Sequence, residues 1–452
     1  MSISEKTLLT EKPQWGFPKP TILVDSQSAP KLIGDIIEQQ YFRMFLMGKP
    51  GDVALINYPI NDAYLGYVQN TLGIPLPTIV PVENTGKGTL TRDILSLPGV
   101  VEYMQSLVDT GYKVQFFNFL QDEVELAHAF TENPTYAKNL EAYLKLGTKT
   151  GFREFCQKYH VPIPPGAICH SPQEVEQALM EIQDDCIIKS DEGTGGAELG
   201  SNISISKMEI LAAGKNLDVL IGDKLQQLTP AEPPYDVQQK LKNVMEGSLH
   251  IFINDDGTVA INPVVFGQFA HDGSYVGGHH PNHLPQGFNE KLMQLANETI
   301  IPALKAEGAT GMHCMDCLFN PKTHDVAFIE DNTRPGALDF IHHFVMKVAD
   351  ANKLVNPHWF HFQLPLKEIA GRAVPFEELQ TILGEQLNPS ESFVAISNPN
   401  VLAYGYDVHL TGISGGEFGS AGQALGAYAK AVETLKNHFG YKKNIPLPQY
   451  EA

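Results

Sequence analysis

Short apolar runs alternate with helical patterns in the first part of the chain. Residues 21–24, 53–57 and 114–119 are compact apolar runs of the kind that form buried strands. Helical patterns over residues 31–47 and 97–112 lie between them. Strands that alternate with helices predict a small open α/β domain over residues 20–125. No Gly-x-Gly-x-x-Gly motif follows a strand, so the pattern does not support a dinucleotide-binding fold.

A glycine-rich loop dominates the next part of the chain. The segment Thr148-Lys149-Thr150 opens a helical pattern over residues 151–160, and Cys186–Ser190 is a predicted strand. The loop after that strand reads Asp191-Glu-Gly-Thr-Gly-Gly-Ala-Glu-Leu-Gly200, and its four glycines free the backbone to bend around a ligand. Its spacing is not that of a P-loop. Taken alone the loop leaves phosphate binding open, but Lys189 at the strand end is able to reach a nucleotide's phosphates.

Two apolar runs later in the chain carry acids in positions where strands are usually apolar. Gly311–Phe319 and the run from Val326 are predicted strands joined by a turn over residues 320–325. The alternation of side chains along a strand puts Glu330 and Asn332 on one face and Asp331 on the other. If Asn320 pairs with Val326, Asp316 lies opposite Glu330. A slip of one residue would turn Asp316 away.

Carboxylates that lie this close repel each other unless a positive charge lies between them. Oxygen ligands suit a hard divalent cation, and Mg2+ normally brings substrate phosphates with it. The alternative is a sheet end with solvated acids. Arg334-Pro335-Gly336 directly after the second run favours the metal hypothesis, because a guanidinium beside such a site suits phosphate binding.

Other cysteine and histidine groups have simpler explanations. Cys314 and Cys317 have redox or zinc spacing, but a strand points them to opposite faces and the chain has no second Cys-x-x-Cys, so buried thiols are favoured. His279, His280 and His283 lack helical spacing and a nearby cysteine, which favours a loop over a zinc site.

The remaining patterns predict structural elements and one functional loop. Residues 247–254 and 258–266 predict a hairpin, and the irregular segment 268–286 is typical of a functional loop or lid. A glycine-rich stretch over residues 410–420 has no basic residue, which favours a tight turn over an anion site. A long amphipathic helix then ends at Gly440 as its C-cap.

Composition narrows the class of protein. The 452 residues are 43% hydrophobic and 19% charged, which is typical of a globular protein with two or three domains. A net charge of −20 argues against nucleic-acid binding, so an anionic substrate needs a local cluster of Lys, Arg and backbone amides. No apolar run is long enough for a membrane span, and the first residues lack a signal-peptide core. Together with five cysteines, an odd number, this predicts a cytoplasmic protein with reduced thiols.

The order of these motifs resembles the ATP-grasp superfamily of carboxylate–amine and carboxylate–thiol ligases. The resemblance covers residues 140–345, and its most specific part is Ile329-Glu-Asp-Asn-Thr-Arg-Pro-Gly336, which is similar to the family's Glu-x-Asn-x-Arg metal motif. It implies two α+β lobes that clamp ATP over residues 141–345, a pre-ATP-grasp α/β domain over 1–140 and a C-terminal α/β domain over 346–452. The whole arrangement most resembles peptide ligases of the pheganomycin type.

The resemblance also assigns roles by position. It implies Mg2+ ligands on the predicted hairpin, at Asp316, Glu330 and Asn332. Arg334 and Lys189 would act on the reacting phosphoryl group. The residues that would bind ATP are Lys149 and Lys189 at the phosphates, Gly193, Thr194, Gly195 and Gly196 in the covering loop, Gln238, Gln239 and Leu241 at the adenine hinge, and Glu246 at the ribose.

The implied reaction joins a small carboxylate to an amine, with an amino acid or peptide as the expected substrate. ATP would convert the carboxylate to an acyl-phosphate, which the amine then attacks, with release of ADP and phosphate. A phosphotransferase acting on a hydroxyl and a non-catalytic nucleotide-binding protein are the alternatives. A homodimer is an expectation from the superfamily; no nucleic-acid or membrane partner is expected.

Overall fold

The computed structural model describes residues 17–26, 43–57, 60–191, 201–269, 275–280, 287–398, 408–416, 419–443 and 445. Within helices and strands it leaves undescribed the side chains of Arg43, of residues 262–269, of Tyr275 and Val276, and of Ala337. The glycine loop residues Gly193, Thr194, Gly195 and Gly196 lie outside the described residues, as do His271 and His283.

The N-terminal domain is built on a parallel sheet. Its described elements are β1 (Thr21–Val24), α1 (Arg43–Met47), β2 (Val53–Ile56), α2 (Asp62–Gly66), β3 (Thr78–Pro81), α3 (Leu90–Ser96), α4 (Pro98–Val108), β4 (Lys113–Phe116) and α5 (Gln121–His128). The strand order is β3-β2-β1-β4 and every pairing is parallel. These strands are short, apolar and largely buried because helices cover the sheet. The predicted open α/β domain is confirmed.

A small antiparallel lobe follows, which we call the small lobe. Its elements are α6 (Leu140–Gly147), α7 (Lys149–Tyr159), β5 (Gly166–Cys169), α8 (Pro172–Ile182), β6 (Cys186–Ser190), β7 (Asn202–Ile205), α9 (Lys207–Ala213), α10 (Leu217–Leu225) and β8 (Tyr235–Gln239), with the sheet order β5-β8-β6-β7. Thr148 caps α7 by accepting from the Gly151 amide at 3.0 Å, which starts that helix at Lys149.

The large lobe is an eight-stranded antiparallel sheet. It begins with β9 (Met245–Ile253), β10 (Val259–Phe269), β11 (Tyr275–His280), α11 (Phe288–Leu295), α12 (Ile301–Ala306), β12 (Gly311–Phe319) and β13 (Val326–Asn332). The expectation of an irregular segment over residues 268–286 is wrong in part. Tyr275–His280 forms strand β11, which pairs with β10 on one side and with His358–Leu364 on the other.

The C-terminal elements extend this same sheet. They are α13 (Ala337–Asn352), β14 (His358–Leu364), α14 (Leu366–Ala370), α15 (Phe376–Leu383), β15 (Ser392–Ile396), β16 (Val408–Ser414) and α16 (Ala421–Phe439). The sheet order is β13-β12-β9-β10-β11-β14-β16-β15. Part of the glycine-rich stretch at 410–420 is therefore strand β16, next to the edge strand β15, where a Cβ on Gly412 would lie 2.1 Å from the Ala424 carbonyl oxygen. Glycine there allows α16 to pack against the sheet.

Candidate active site

A β-bulge in the β12–β13 hairpin brings Asp316 opposite Glu330. The strands leave the turn with Phe319 paired to Val326, one residue away from the expected pairing with Asn320. The register then shifts beyond Cys317, so that Ile329 is the extra residue and Asp316 pairs with Glu330. A regular ladder would have placed Ile329 opposite Asp316. The sequence therefore predicted the pair correctly through a turn register that is wrong.

The acids and the amide of the predicted metal site lie within hydrogen-bonding distance of one another. Asn332 Nδ2 donates to Asp316 Oδ2 at 3.0 Å and lies 3.4 Å from Glu330 Oε1. The hydroxyl of Ser248, on the neighbouring strand β9, donates to Asp316 Oδ1. The amide nitrogen of Asn332 thus faces the two carboxyl groups, while its oxygen accepts from Arg334. A reversal of this amide would add its oxygen to the carboxylate oxygens, which is the ligand type that Mg2+ prefers.

Two buried lysines reach the same volume from the small lobe. Lys149, the first residue of α7, donates from Nζ to Glu330 Oε2. Lys189, near the end of β6, is 3% exposed, and its Nζ lies 3.4 Å from the carbonyl oxygen of the bulged residue Ile329. Burial lowers the pKa of Lys189, and the charge on Glu330 opposes that shift. The bulge therefore brings Asp316 opposite Glu330 and also provides the carbonyl oxygen that Lys189 contacts.

The charges of this cluster indicate a place for a further cation. Burial raises the pKa of Asp316, and repulsion from Glu330 raises it further. Burial alone would also raise the pKa of Glu330, but Lys149 and Lys189 hold it below its usual range. The two lysines therefore do not offset the burial of Asp316 and its repulsion from Glu330. A divalent cation between the two carboxyl groups would favour the charged form of both, so the residues fit Mg2+.

Arg334 joins this cluster to the N-terminal domain. Its Nη2 donates to Asn332 Oδ1 at 3.1 Å, and its Nη1 donates to the Pro335 carbonyl oxygen at 3.1 Å. The guanidinium carbon lies 5.4 Å from the centre of the Phe117 ring, directly after β4. Arg334 is therefore held beside the candidate metal ligands, between the large lobe and the parallel sheet.

The residues expected at the adenine hinge lie at the end of β8. Gln238 is buried within the sheet, and its side chain donates to Asp236 Oδ2 at 2.6 Å. The Gln239 amide donates to the Pro165 carbonyl oxygen at 2.8 Å. Both backbones thus contribute to the small lobe, and Leu241 lies beyond the strand, in the connection to the large lobe.

Glu246 lies on the same face of β9 as Ser248, two residues before it. Loss of solvent around its carboxyl raises its pKa, while the Lys189 charge opposes that shift. The structure therefore brings Glu246 into the electrostatic range of the lysine cluster. His279 stacks on the Phe360 ring with centroids 5.0 Å apart.

Sequence reasoning missed four contributors to this site. Asp191 accepts hydrogen bonds at 2.8 Å from both the amide and the hydroxyl of Thr150, which ties the start of the glycine loop to α7. Ser248 and Phe117 carry no motif, since one is an ordinary strand serine and the other an apolar loop residue. His250 forms a buried pair with Asp339 behind the Arg334 turn. Only the alternation along β9, which puts Ser248 and His250 on one face, could have indicated any of them.

Comparisons with known proteins agree with this architecture. Residues 41–130 match the family model of the Pre ATP-grasp domain. No curated protein sequence matches the chain. The fold is an ATP-grasp fold with a pre-ATP-grasp domain in front of it, which confirms the predicted fold class.

Three solved structures illustrate the likeness. Biotin carboxylase from Campylobacter jejuni, in complex with β-γ-ATP, is 15% identical with a TM-score of 0.58, over 93% of this chain and 94% of that chain. The biotin carboxylase domain dimer of 2-oxoglutarate carboxylase from Hydrogenobacter thermophilus, with MgADP, ADP and bicarbonate, is 13% identical with a TM-score of 0.57, over 93% and 94%. N5-carboxyaminoimidazole ribonucleotide synthetase from Thermus thermophilus is 16% identical with a TM-score of 0.53, over 93% and 98%.

Within the described residues, no helix is both long and apolar enough to cross a membrane.

Proposed function

We propose that this chain is an ATP-dependent carboxylate–amine ligase that forms an amide bond and releases ADP and phosphate. The observation that carries the proposal is the convergence of Asp316, Glu330 and Asn332 with the two buried lysines Lys149 and Lys189. Catalysis of phosphoryl transfer consists mainly of positioning and charge neutralisation, and this cluster supplies both signs of charge in one volume.

The metal ligands in this proposal are Asp316, Glu330 and Asn332. When bound, Mg2+ supplies positive charge at the transferred phosphoryl group. Lys149 pairs with Glu330 in this structure and would turn to the nucleotide's phosphates when Glu330 holds the cation. Lys189 would also bind the phosphates, from its position 3.4 Å from the Ile329 carbonyl oxygen. Arg334 binds the transferred group on the side that faces the parallel sheet.

The bonds made and broken define the order of events. A carboxylate oxygen attacks the γ-phosphorus, the bond from that phosphorus to the bridging oxygen breaks, and ADP leaves. The amine nitrogen then attacks the acyl carbon, the carbon–oxygen bond to phosphate breaks, and the amine loses a proton. Water must be excluded while the acyl-phosphate exists, which is the role we assign to the loop with Gly193, Thr194, Gly195 and Gly196.

The nucleotide base belongs, in this proposal, at the connection after β8. Gln238 and Gln239 fix the strand end through their bonds inside the small lobe, and the backbone at Leu241 would read the adenine edge. Glu246 binds the ribose from the same face that carries Ser248. A homodimer stays a prediction, which sedimentation would test. A cytoplasmic location likewise stays a prediction.

The proposed class of ligase leaves open which acid and which amine are the substrates. Bicarbonate is bound in the 2-oxoglutarate carboxylase structure, so it is one candidate acid. Amino acids and peptides are the candidates implied by the resemblance to peptide ligases of the pheganomycin type. Both groups of acids react through the same acyl-phosphate chemistry.

A phosphate-release screen over pairs of acids and amines, with mass detection of products, tests the proposal. We expect ADP and phosphate in equal amounts, an amide product, and no turnover when the amine is omitted, apart from slow hydrolysis. Formation of AMP would contradict the proposal. A stable phosphorylated hydroxyl product would instead establish a phosphotransferase.

A further inference from the structure

A buried histidine–carboxylate pair lies directly behind the turn that carries Arg334. His250 lies on β9 and Asp339 in the first turn of α13, and their side chains are 1% exposed. The distance from His250 Nδ1 to Asp339 Oδ1 is 2.5 Å. This pair lies on the face of β9 that also carries Ser248, which binds Asp316.

The pair is connected to the Arg334 turn through the backbone. The second oxygen of Asp339, Oδ2, accepts a hydrogen bond from the Gly336 amide at 2.6 Å. A Cβ on Gly336 would lie 2.6 Å from Cys314 Sγ, so the backbone sits directly on β12 at that point. Gly336 is two residues beyond Arg334. The imidazole therefore orients a carboxylate that in turn fixes the end of this turn.

The guanidinium depends on the geometry of the same turn. The Arg334 amide donates to the Asn332 carbonyl oxygen at 2.7 Å, and Nη1 donates to the Pro335 carbonyl oxygen. A shift of Gly336 away from β12 moves the Pro335 carbonyl with it. Since catalytic groups must be held to within a fraction of an ångström, such a shift would misplace the charged group.

Metal binding by the pair is the competing explanation. His250, Cys314 and Asp339 offer ligand atoms within 4.8 Å of one another. The imidazole and the carboxylate are already in direct contact, however, at a separation shorter than two ligands of one metal ion adopt. The contacts favour a bridge between β9 and α13 over a metal ligand set.

We propose that His250 is a positioning residue for Arg334, acting through Asp339 and the backbone amide of Gly336. The role of Arg334 rests on the proposed function. The effect of His250 on the position of Arg334 can be tested separately from that function.

A double-mutant cycle supplies the kinetic test. In the parent protein, His250→Ala should lower kcat at least about 10-fold and leave the KM for ATP within about threefold, because the nucleotide contacts lie elsewhere. His250→Asn should recover most of kcat, since its amide nitrogen replaces Nδ1. In the Arg334→Ala background, His250→Ala should lower kcat by less than about twofold further.

His313→Ala is the matched control for this cycle. His313 is also fully buried on β12 and lies 2.7 Å from Asp331, but on the face of the sheet opposite to the one that carries His250. Its effect should be additive with Arg334→Ala. An equal loss from His250→Ala in both backgrounds, or a transition metal bound in stoichiometric amount, would overturn the inference.

Crystal structures of the His250→Ala and His250→Asn proteins separate this inference from the proposed function. If no acid–amine pair is turned over, the proposed function fails, but the position of Arg334 can still be observed. We expect it to leave Asn332 and Phe117 in the alanine variant and to stay in the asparagine variant. An unmoved Arg334 in the alanine variant would refute the positioning role. If His250→Ala does not fold, Asp339→Asn replaces it in both tests.

Discussion

Asp316 lies opposite Glu330 across β12 and β13, although the two strands leave their turn one residue out of that register. The extra residue, Ile329, absorbs the difference and turns its carbonyl oxygen toward Lys189. Without the bulge an isoleucine would face Asp316. The bulge therefore creates the acid pair on which the candidate site depends.

Glu330→Gln should abolish most turnover. The substitution keeps the shape of the side chain but removes the charge that attracts both lysines and the cation. We expect kcat to fall at least about 100-fold, equivalent to about 2.7 kcal/mol of transition-state stabilisation. Phosphate release at saturating ATP measures it. The control is Glu102→Gln on the exposed surface of α4, which should behave as the parent.

Asp316→Asn should separate activity from stability. Burial and the Glu330 charge make an ionised Asp316 unfavourable without a cation, so the amide should leave the melting temperature of the nucleotide-free protein at or above the parent value. The amide can accept from Asn332 and donate to Ser248, which preserves both contacts. Turnover should nevertheless fall as in Glu330→Gln. A lower melting temperature would show that Asp316 stabilises the fold.

Lys189→Ala should weaken nucleotide binding. Lys189 is buried, and among the described residues its ammonium contacts the Ile329 carbonyl oxygen at 3.4 Å, which leaves donor capacity for phosphate oxygens. We expect the Kd for MgADP, measured by calorimetry, to rise at least about 10-fold. Lys224→Ala on α10 removes a lysine of the same lobe away from the site and serves as the control. Unchanged affinity for Lys189→Ala would contradict the assigned role.

The sequence was informative wherever one residue pattern specified one local structure. Cys186–Ser190 and Gly311–Phe319 are strands with the predicted bounds, because short apolar runs have few alternatives in a compact lobe. Gly440 adopts a left-handed conformation with φ of 67° at the end of α16, as its place after an amphipathic helix indicated. Asp316 and Glu330 stood out as acids in apolar strands, but their pairing came from a turn register that the bulge at Ile329 compensates.

The sequence was uninformative wherever a residue acts through a partner far away in the chain. His250 and Asp339 are 89 positions apart, and neither stands in a motif. Phe117 meets Arg334 only because the parallel sheet packs against the large lobe. The strand β11 was overlooked because Gly277 and Gly278 have low strand propensity; Gly277 is required there, since a Cβ would lie 2.1 Å from the His361 carbonyl oxygen.

The five cysteines should be unreactive in the folded protein. All are buried and free, and burial raises the pKa of Cys169 and of Cys186 to about 11. At pH 8 a thiol reagent should modify less than about one thiol per chain, and all five after denaturation. Rapid reaction of Cys314 or Cys317 in the native protein would revive a redox role for that pair.

Lys347 should make the stability of the folded protein depend on pH. Its ammonium lies between α13 and the end of α1, where it donates to the Leu46 carbonyl oxygen at 2.7 Å and to the Gly48 carbonyl oxygen. Burial lowers the pKa of Lys347 to about 7, an effect that Asp52 opposes. Between that value and the usual lysine pKa of about 10.4, the unfolded chain holds a proton that the folded chain has released. The folded state therefore gains stability as the pH rises through this interval.

Comparison with Lys347→Met isolates this contribution. The parent should gain stability relative to the variant as the pH rises from 7 to 9, by up to about 1.4 kcal/mol per pH unit. Melting temperatures of both proteins at three pH values measure the difference. Lys430→Met on the exposed face of α16 should show no such trend. A parent advantage that stays flat or falls with rising pH would mean that Lys347 keeps its proton in the folded protein, held by the two carbonyl oxygens and Asp52.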